Sequence, residues 1–212
     1  MKNLIQEHGS EVVHVVNELG NSALLLAAGY GNFEAVKLLF QNGADLNTVT
    51  KNADEFTAIM MAAQGGDVRI TKLFLQKGVD VNYVTTTKRW TALLVASQSG
   101  HTDVAKVLAQ NGADVNHKER NEQTALHKTA FYGHADVAKV LLENGADVNA
   151  VRDGDHTALH YAALYGNAQV AKVLLQNGAD VNAVTGSKWT ALHVAAEYGN
   201  ANIAKVLLQN GA

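Results

Sequence analysis

One twelve-residue phrase is written six times along this chain: NSALLLAAGYGN, FTAIMMAAQGGD, WTALLVASQSGH, QTALHKTAFYGH, HTALHYAALYGN and WTALHVAAEYGN. Its Ser or Thr falls at Ser22, Thr57, Thr91, Thr124, Thr157 and Thr190, in steps of 35, 34, 33, 33 and 33 residues. Self-similarity at that period specifies a stacked array of supersecondary units, each too small to bury its apolar face without a neighbour. Each phrase is followed by a second one, of which AQVAKVLLQNGADVN (Ala168 to Asn182) is typical.

Within a unit, Thr157 is placed to cap a helix whose apolar set is Ala158, Leu159, Ala162 and Ala163, ending before Gly166. The small alanines imply that another backbone comes close. A second helix follows from about Ala168, with Val170, Val173, Leu174 and Leu175 at helical spacing and a stop at Gly178. GADVN then turns the chain into a polar loop. From the turn glycine to the next cap there are 14 residues (Gly43 to Thr57), then 13 (Gly78 to Thr91), then 12 in the remaining three units. The extra residues therefore went into the loops TVTKNADEF and YVTTTKRW, which are expected to project farther than the others.

At 212 residues and 47% hydrophobic, the chain can build its core without metals or disulfides. It has no cysteine, which excludes disulfides, thiolate nucleophiles and Cys-ligated metals. A net charge of -3 offers no broad positive field for nucleic acid. MKNLIQEHGSE has no apolar stretch long enough for a secretory signal, and no run of about eighteen apolar residues could span a bilayer. The expectation is a cytoplasmic chain without membrane insertion, with export into another cell or compartment as the alternative.

LIQEHGSEVV (Leu4 to Val13) echoes the second phrase and reads as a partial unit, within residues 1–20, sealing the N-terminal end of the stack. At the other end, Ile203, Val206, Leu207 and Leu208 are worded like an internal repeat up to Ala212. Either a longer protein continues there, or the last helix exposes an apolar face that a following segment or a second copy could cover.

This unit resembles the ankyrin repeat, through TALHKTA, TALHYAA and TALHVAA joined to turns of the NGADVN type. The resemblance implies an all-α solenoid of stacked helix-turn-helix units with projecting β-hairpin loops, a single domain over 1–212. Alanine replaces the proline usual after the threonine, and Leu25, Met60 and Leu94 replace the family histidine in the first three units. The family binds protein partners through finger tips and through residues near the end of the first helix of each pair. Carried onto this chain, those positions include Tyr30, Phe56, Trp90, Phe131, Tyr132, His156, Leu164, Tyr165, Trp189 and Tyr198 as partner-binding candidates. Eight of the thirteen aromatic residues stand there, which makes an aromatic ribbon the expected contact surface, richest from Phe131 to Tyr198. Arg152, Asp153, Asp155, Lys188 and Glu197 are its polar rim. Packing against a neighbouring helix end or finger is the competing role for the tyrosines and tryptophans. Phe33, Phe40 and Phe74, in or beside second helices, read as core.

His127, His160 and His193 recur on equivalent helices roughly 8–10 Å apart, too far to share one metal ion. Their expected role is to bond the turn or backbone of their own or the next unit. Asp45, Asp80, Asp114, Asp147 and Asp180, beside Asn47, Asn82, Asn116, Asn149 and Asn182, read as turn residues. One Lys per second helix (Lys37, Lys72, Lys106, Lys139, Lys172, Lys205) reads as solvated surface. No P-loop, paired-glycine fingerprint, H-E-x-x-H or nucleophile elbow is present. The expectation is a non-enzymatic module without cofactor or metal that binds a protein or peptide in its concave groove. It is read as a monomer, with end-to-end association through the last repeat as a possibility. A structural spacer or self-assembling scaffold, or the recognition arm of a larger enzyme or effector, are the alternatives.

Overall fold

A computed structural model describes residues 13–212, and the chain divides into two compact units, 1–113 and 114–212. In the first, three helix pairs follow one another: α1 (Ala23–Gly29) and α2 (Phe33–Gln41), α3 (Ala58–Gly65) and α4 (Val68–Gln76), α5 (Ala92–Ser99) and α6 (Thr102–Gln110). In the second come α7 (Ala125–Tyr132) and α8 (Ala135–Glu143), then a hairpin of β1 (Val151–Arg152) and β2 (His156–Thr157). Two more pairs follow, α9 (Ala158–Tyr165) with α10 (Ala168–Gln176) and α11 (Ala191–Glu197) with α12 (Ala201–Gln209). The architecture is all-α, a solenoid of helix-turn-helix units with small β-hairpin loops.

Like helices stack on like. In the first unit α1 packs on α3 and α3 on α5, while α2 packs on α4 and α4 on α6; in the second, α7, α9 and α11 form one layer and α8, α10 and α12 the other. The alanines allow this approach: Ala58, Ala62, Ala63, Ala92 and Ala96 are buried, as are Ala158, Ala162, Ala163 and Ala191. Leucine, valine and isoleucine fill the space between layers, each buried side chain contributing about 1.5–3 kcal/mol. Phe74 belongs to this core with 0% exposure. Phe33 and Phe40 do not, contrary to their reading as core: both are half-buried and seat cations, Arg69 and Lys37 over Phe33 at 5.0 and 5.4 Å and Lys77 over Phe40 at 4.7 Å.

The polar repeats hold the ends of the helices. Ser22 and Thr91 cap α1 and α5, accepting from Leu25 N and Leu94 N at 3.3 Å. In every GAD-type turn the aspartate accepts the backbone N–H of the asparagine two residues on, at 2.9 Å. The asparagines add a link between units. Asn116 Nδ2 donates to Gly145 O, and its Oδ1 accepts from Asp147 N at 2.8 Å; Asn149 does the same with Gly178 and Asp180. Asn167 donates to Ala130 O and Phe131 O, and Asn200 to Ala163 O and Leu164 O, satisfying carbonyls that a helix end leaves open.

Each finger turns back through a residue in the left-handed region: Glu55, Arg89, Glu122, Asp155 and Lys188, at φ 53 to 61°. None is glycine, so each carries a Cβ penalty. Lys188 is exposed and makes no side-chain bond among the described residues; Lys188→Gly is therefore expected to stabilise the chain by about 0.5–1 kcal/mol, measured by urea unfolding, after the entropy cost of glycine is counted.

The expected partial unit at Leu4–Val13 lies, apart from its last residue, outside the described residues; Val13 is buried. On the last helix, Ile203, Val206 and Leu207 are buried and only Leu208 is exposed, at 59%, so most of the apolar face read as open is covered. Among the described residues no helix is long and apolar enough to cross a membrane.

Candidate functional site

In the second unit the first helices bring rings together. Phe131, near the end of α7, lies 4.1 Å from the Tyr165 ring centroid, 4.6 Å from Tyr132 and 6.3 Å from Tyr161. Tyr161 and Tyr165, one helical turn apart on α9, are near-parallel at 6.3 Å. Beside them opens a concave pocket of about 430 Å³, whose walls include Arg152, His156, Leu164, Trp189, Glu197 and Tyr198 together with Tyr161 and Tyr165. That volume is within the range of sites that take ligands. The rings reach solvent: Trp189, Tyr165 and Tyr198 are 38, 46 and 57% exposed.

Thus Leu164, Tyr165, His156, Trp189 and Tyr198 share one pocket, with Phe131 and Tyr132 in the aromatic cluster beside it. Tyr161 was not among the expected site residues. It is 6% exposed, accepts a 2.9 Å bond from Gln123 Nε2 and lies under the Arg152 guanidinium at 5.3 Å. Burial raises its phenol above the usual value, against the lowering effect of the Gln123 bond. The signal was available: at its register the other units carry Leu26, Met61, Val95, Lys128 and Val194, so it is the one aromatic there.

The first unit is different. Tyr30 is 86% exposed. Phe56 is 8% exposed, its ring 6.0 Å from the Trp90 ring, so it supports the finger and offers little contact area of its own. Trp90 is half-buried and lines a separate, smaller hollow of about 280 Å³ with Asp54, Gln64, Lys88 and Gln98. The two long fingers are tied by Glu55, whose carboxylate accepts from Thr86 N and Thr87 N, and by a Lys88–Asp54 ion pair. The Thr86 hydroxyl, which also donates to this carboxylate, together with the Thr87 and Thr86 N–H groups, holds the Glu55 carboxyl below its ordinary value.

The repeating histidines join finger to helix. His127 Nδ1 accepts from Thr124 N at 3.2 Å, completing a capping box, while Nε2–H donates to His156 O of the following finger at 3.1 Å. His160 repeats this with Thr157 N and Trp189 O. The neutral imidazole, one donor and one acceptor, matches both partners. Burial pushes His127 down to about 4 and lowers His160 as well; the bonds to the finger carbonyls act in the opposite direction. These side chains therefore fix the height of His156 and Trp189 over the pocket. Among the described residues no group of His, Cys, Asp or Glu could hold a metal ion.

A family model described as ankyrin repeats (3 copies) matches the chain at residues 24–119, 59–152, 117–185 and 152–212. No curated protein matches it in sequence.

Proposed function

Because the chain belongs to the ankyrin-repeat family, a non-catalytic scaffold for protein–protein contact, we propose that residues 114–212 hold a protein or peptide partner in the pocket beneath Trp189. The observation that carries this reading is the gathering of Tyr165, Trp189 and Tyr198 around one hollow with their rings part-exposed. Monomeric surfaces seldom leave such area open, and tyrosine and tryptophan dominate binding hot spots because they bury apolar area while keeping a polar tip. The polar edge from Arg152 and Glu197 supplies specificity. The pocket is open, which suits a side-chain-deep contact with a polypeptide.

Panning a displayed random-peptide library on the full chain tests this. Peptides selected by the wild type are expected to lose at least tenfold in affinity for Tyr165→Ala and Trp189→Ala, and to bind Lys205→Ala, on the second helix α12, unchanged. Selected peptides indifferent to both aromatic substitutions would remove the pocket from consideration.

A further inference from the structure

The five fingers carry an internal control. At one position in each stand Thr50, Thr85, Glu119, Arg152 and Thr185. The three threonines are buried, and each Oγ1 accepts the backbone N–H of the residue just before the helix cap: Phe56 N at 2.9 Å, Trp90 N at 2.9 Å and Trp189 N at 3.2 Å. Glu119, also buried, accepts Asn121 N at 3.0 Å. In four fingers, then, this side chain accepts a backbone N–H of its own loop, and in three of them that bond closes the loop.

Arg152 breaks the rule. A guanidinium only donates, so it cannot close the finger in this way. Its side chain leaves the loop and lies over Tyr161 on the floor of the pocket. Among the described residues no carboxylate comes within ion-pair distance of it, and its Nε is removed from solvent with no hydrogen-bond partner. A half-buried cation without a counter-ion costs stability, and a buried donor left open is uncommon in folded proteins. Where one repeat of an array gives up a local bond that the others make, the departure marks function.

We propose that Arg152 is the anchor for a single acidic side chain, Asp or Glu, carried by the partner polypeptide and flanked by an apolar residue that lies on Trp189 and Tyr165. The planar fork of the guanidinium pairs with a carboxylate, and the low-dielectric wall of rings strengthens that bond. Glu197, on the same pocket, and the exposed Asp153 and Asp155 repel a second acid, so the site selects one acidic residue in a fixed register and not an acidic tract. This rests on the binding role of the pocket proposed above and names the chemistry it reads.

The deciding variant is Arg152→Thr, which restores the acceptor of the other fingers. The same random-peptide library is panned on the wild type, on Arg152→Thr and on Trp189→Ala, all as full chains. Wild-type pools are expected to show Asp or Glu at one register next to an apolar residue. Arg152→Thr pools are expected to lose the acid and keep the apolar residue. For the best wild-type peptide, Glu→Gln (or Asp→Asn) and Arg152→Thr should each cost at least tenfold in Kd, with little further loss when combined. The Tm of Arg152→Thr is expected to hold or to rise by roughly 2–4 °C. Inorganic phosphate titrated to millimolar levels should leave Trp189 fluorescence unchanged. Pools that depend on Trp189 but show no acidic preference overturn the Arg152 assignment alone. Pools indifferent to Trp189 overturn the pocket itself. A fall in Tm with the acid preference retained makes Arg152 a packing residue, and saturable phosphate binding abolished by Arg152→Thr makes the site one for small anions.

Discussion

Between pH 6.5 and about 4 the second unit is expected to lose about 3 kcal/mol of stability through His127 alone, with His160 adding a loss of the same sign. The folded pKa is depressed, so in this window the unfolded chain takes up a proton that the native imidazole refuses. Stability is complete above the unfolded value of 6.5 and declines as pH falls towards about 4, where the native group finally protonates. The cause is burial, which penalises the charged imidazolium, and a proton on Nδ1 would in addition confront the Thr124 N–H that now donates to it. In the first unit the equivalent positions are Leu25, Met60 and Leu94, so it has no such liability. Single-tryptophan variants separate the two, Trp189→Phe leaving Trp90 to report residues 1–113 and Trp90→Phe leaving Trp189 to report residues 114–212. The urea midpoint seen by Trp189 is expected to fall between pH 6.5 and 4.5 while that seen by Trp90 moves far less. Glu55 and Asp67, whose hydrogen bonds hold their carboxyls below the ordinary range, lose their contribution only at lower pH. His127→Leu combined with His160→Leu, which installs the residue of the first unit, should flatten the Trp189 profile. An unaltered slope would mean that other groups set the acid response.

The array was legible because its signal is redundant. Six copies of one phrase place every cap, turn glycine and alanine, and an error at any one position is corrected by the other five. The roles of the aspartates and histidines followed from the same lockstep. The asparagine ladder from unit to unit was less visible, since pairing Asn116 with Gly145 and Asp147 needs the rise between repeats, which no single unit encodes.

The candidate site was legible only where the pocket coincides with positions that the resemblance supplies. Tyr165, Trp189 and Tyr198 were anticipated, but Tyr161 stands inside the TALHYAA phrase, where periodicity assigns it to the core. Its depth is real; what the pattern lacks is the Arg152 side chain above it. Phe56 shows the reverse. Its finger is two residues longer than the last three, and this finger and the next bring the Trp90 ring to Phe56, so a position that is half-buried or exposed in the later fingers is closed. Phe33 and Phe40 sit on α2, where long cationic side chains from the same helix and from α4 and its C-terminal end provide cover that hydrophobic spacing cannot foresee.

Phe74→Ala is expected to destabilise the first unit by about 3–5 kcal/mol. The ring has no solvent exposure and lies on α4, which packs on α2, α3 and α6, so the truncation opens a void shared by several helices. In an array stability is the sum of each repeat and its interfaces, and a defect in the middle pair weakens two interfaces at once. At this register the other units carry Leu39, Leu108, Leu141, Leu174 and Leu207, every one buried. Phe74→Leu therefore returns the position to the shape the array uses elsewhere and should cost only about 1 kcal/mol, the surrounding helices closing on the smaller side chain. Urea unfolding followed at Trp90 distinguishes the two. Equal losses for alanine and leucine would mean that the helices around α4 are locked to the phenylalanine, whereas a small loss for both would mean that they collapse freely onto any residue at that position.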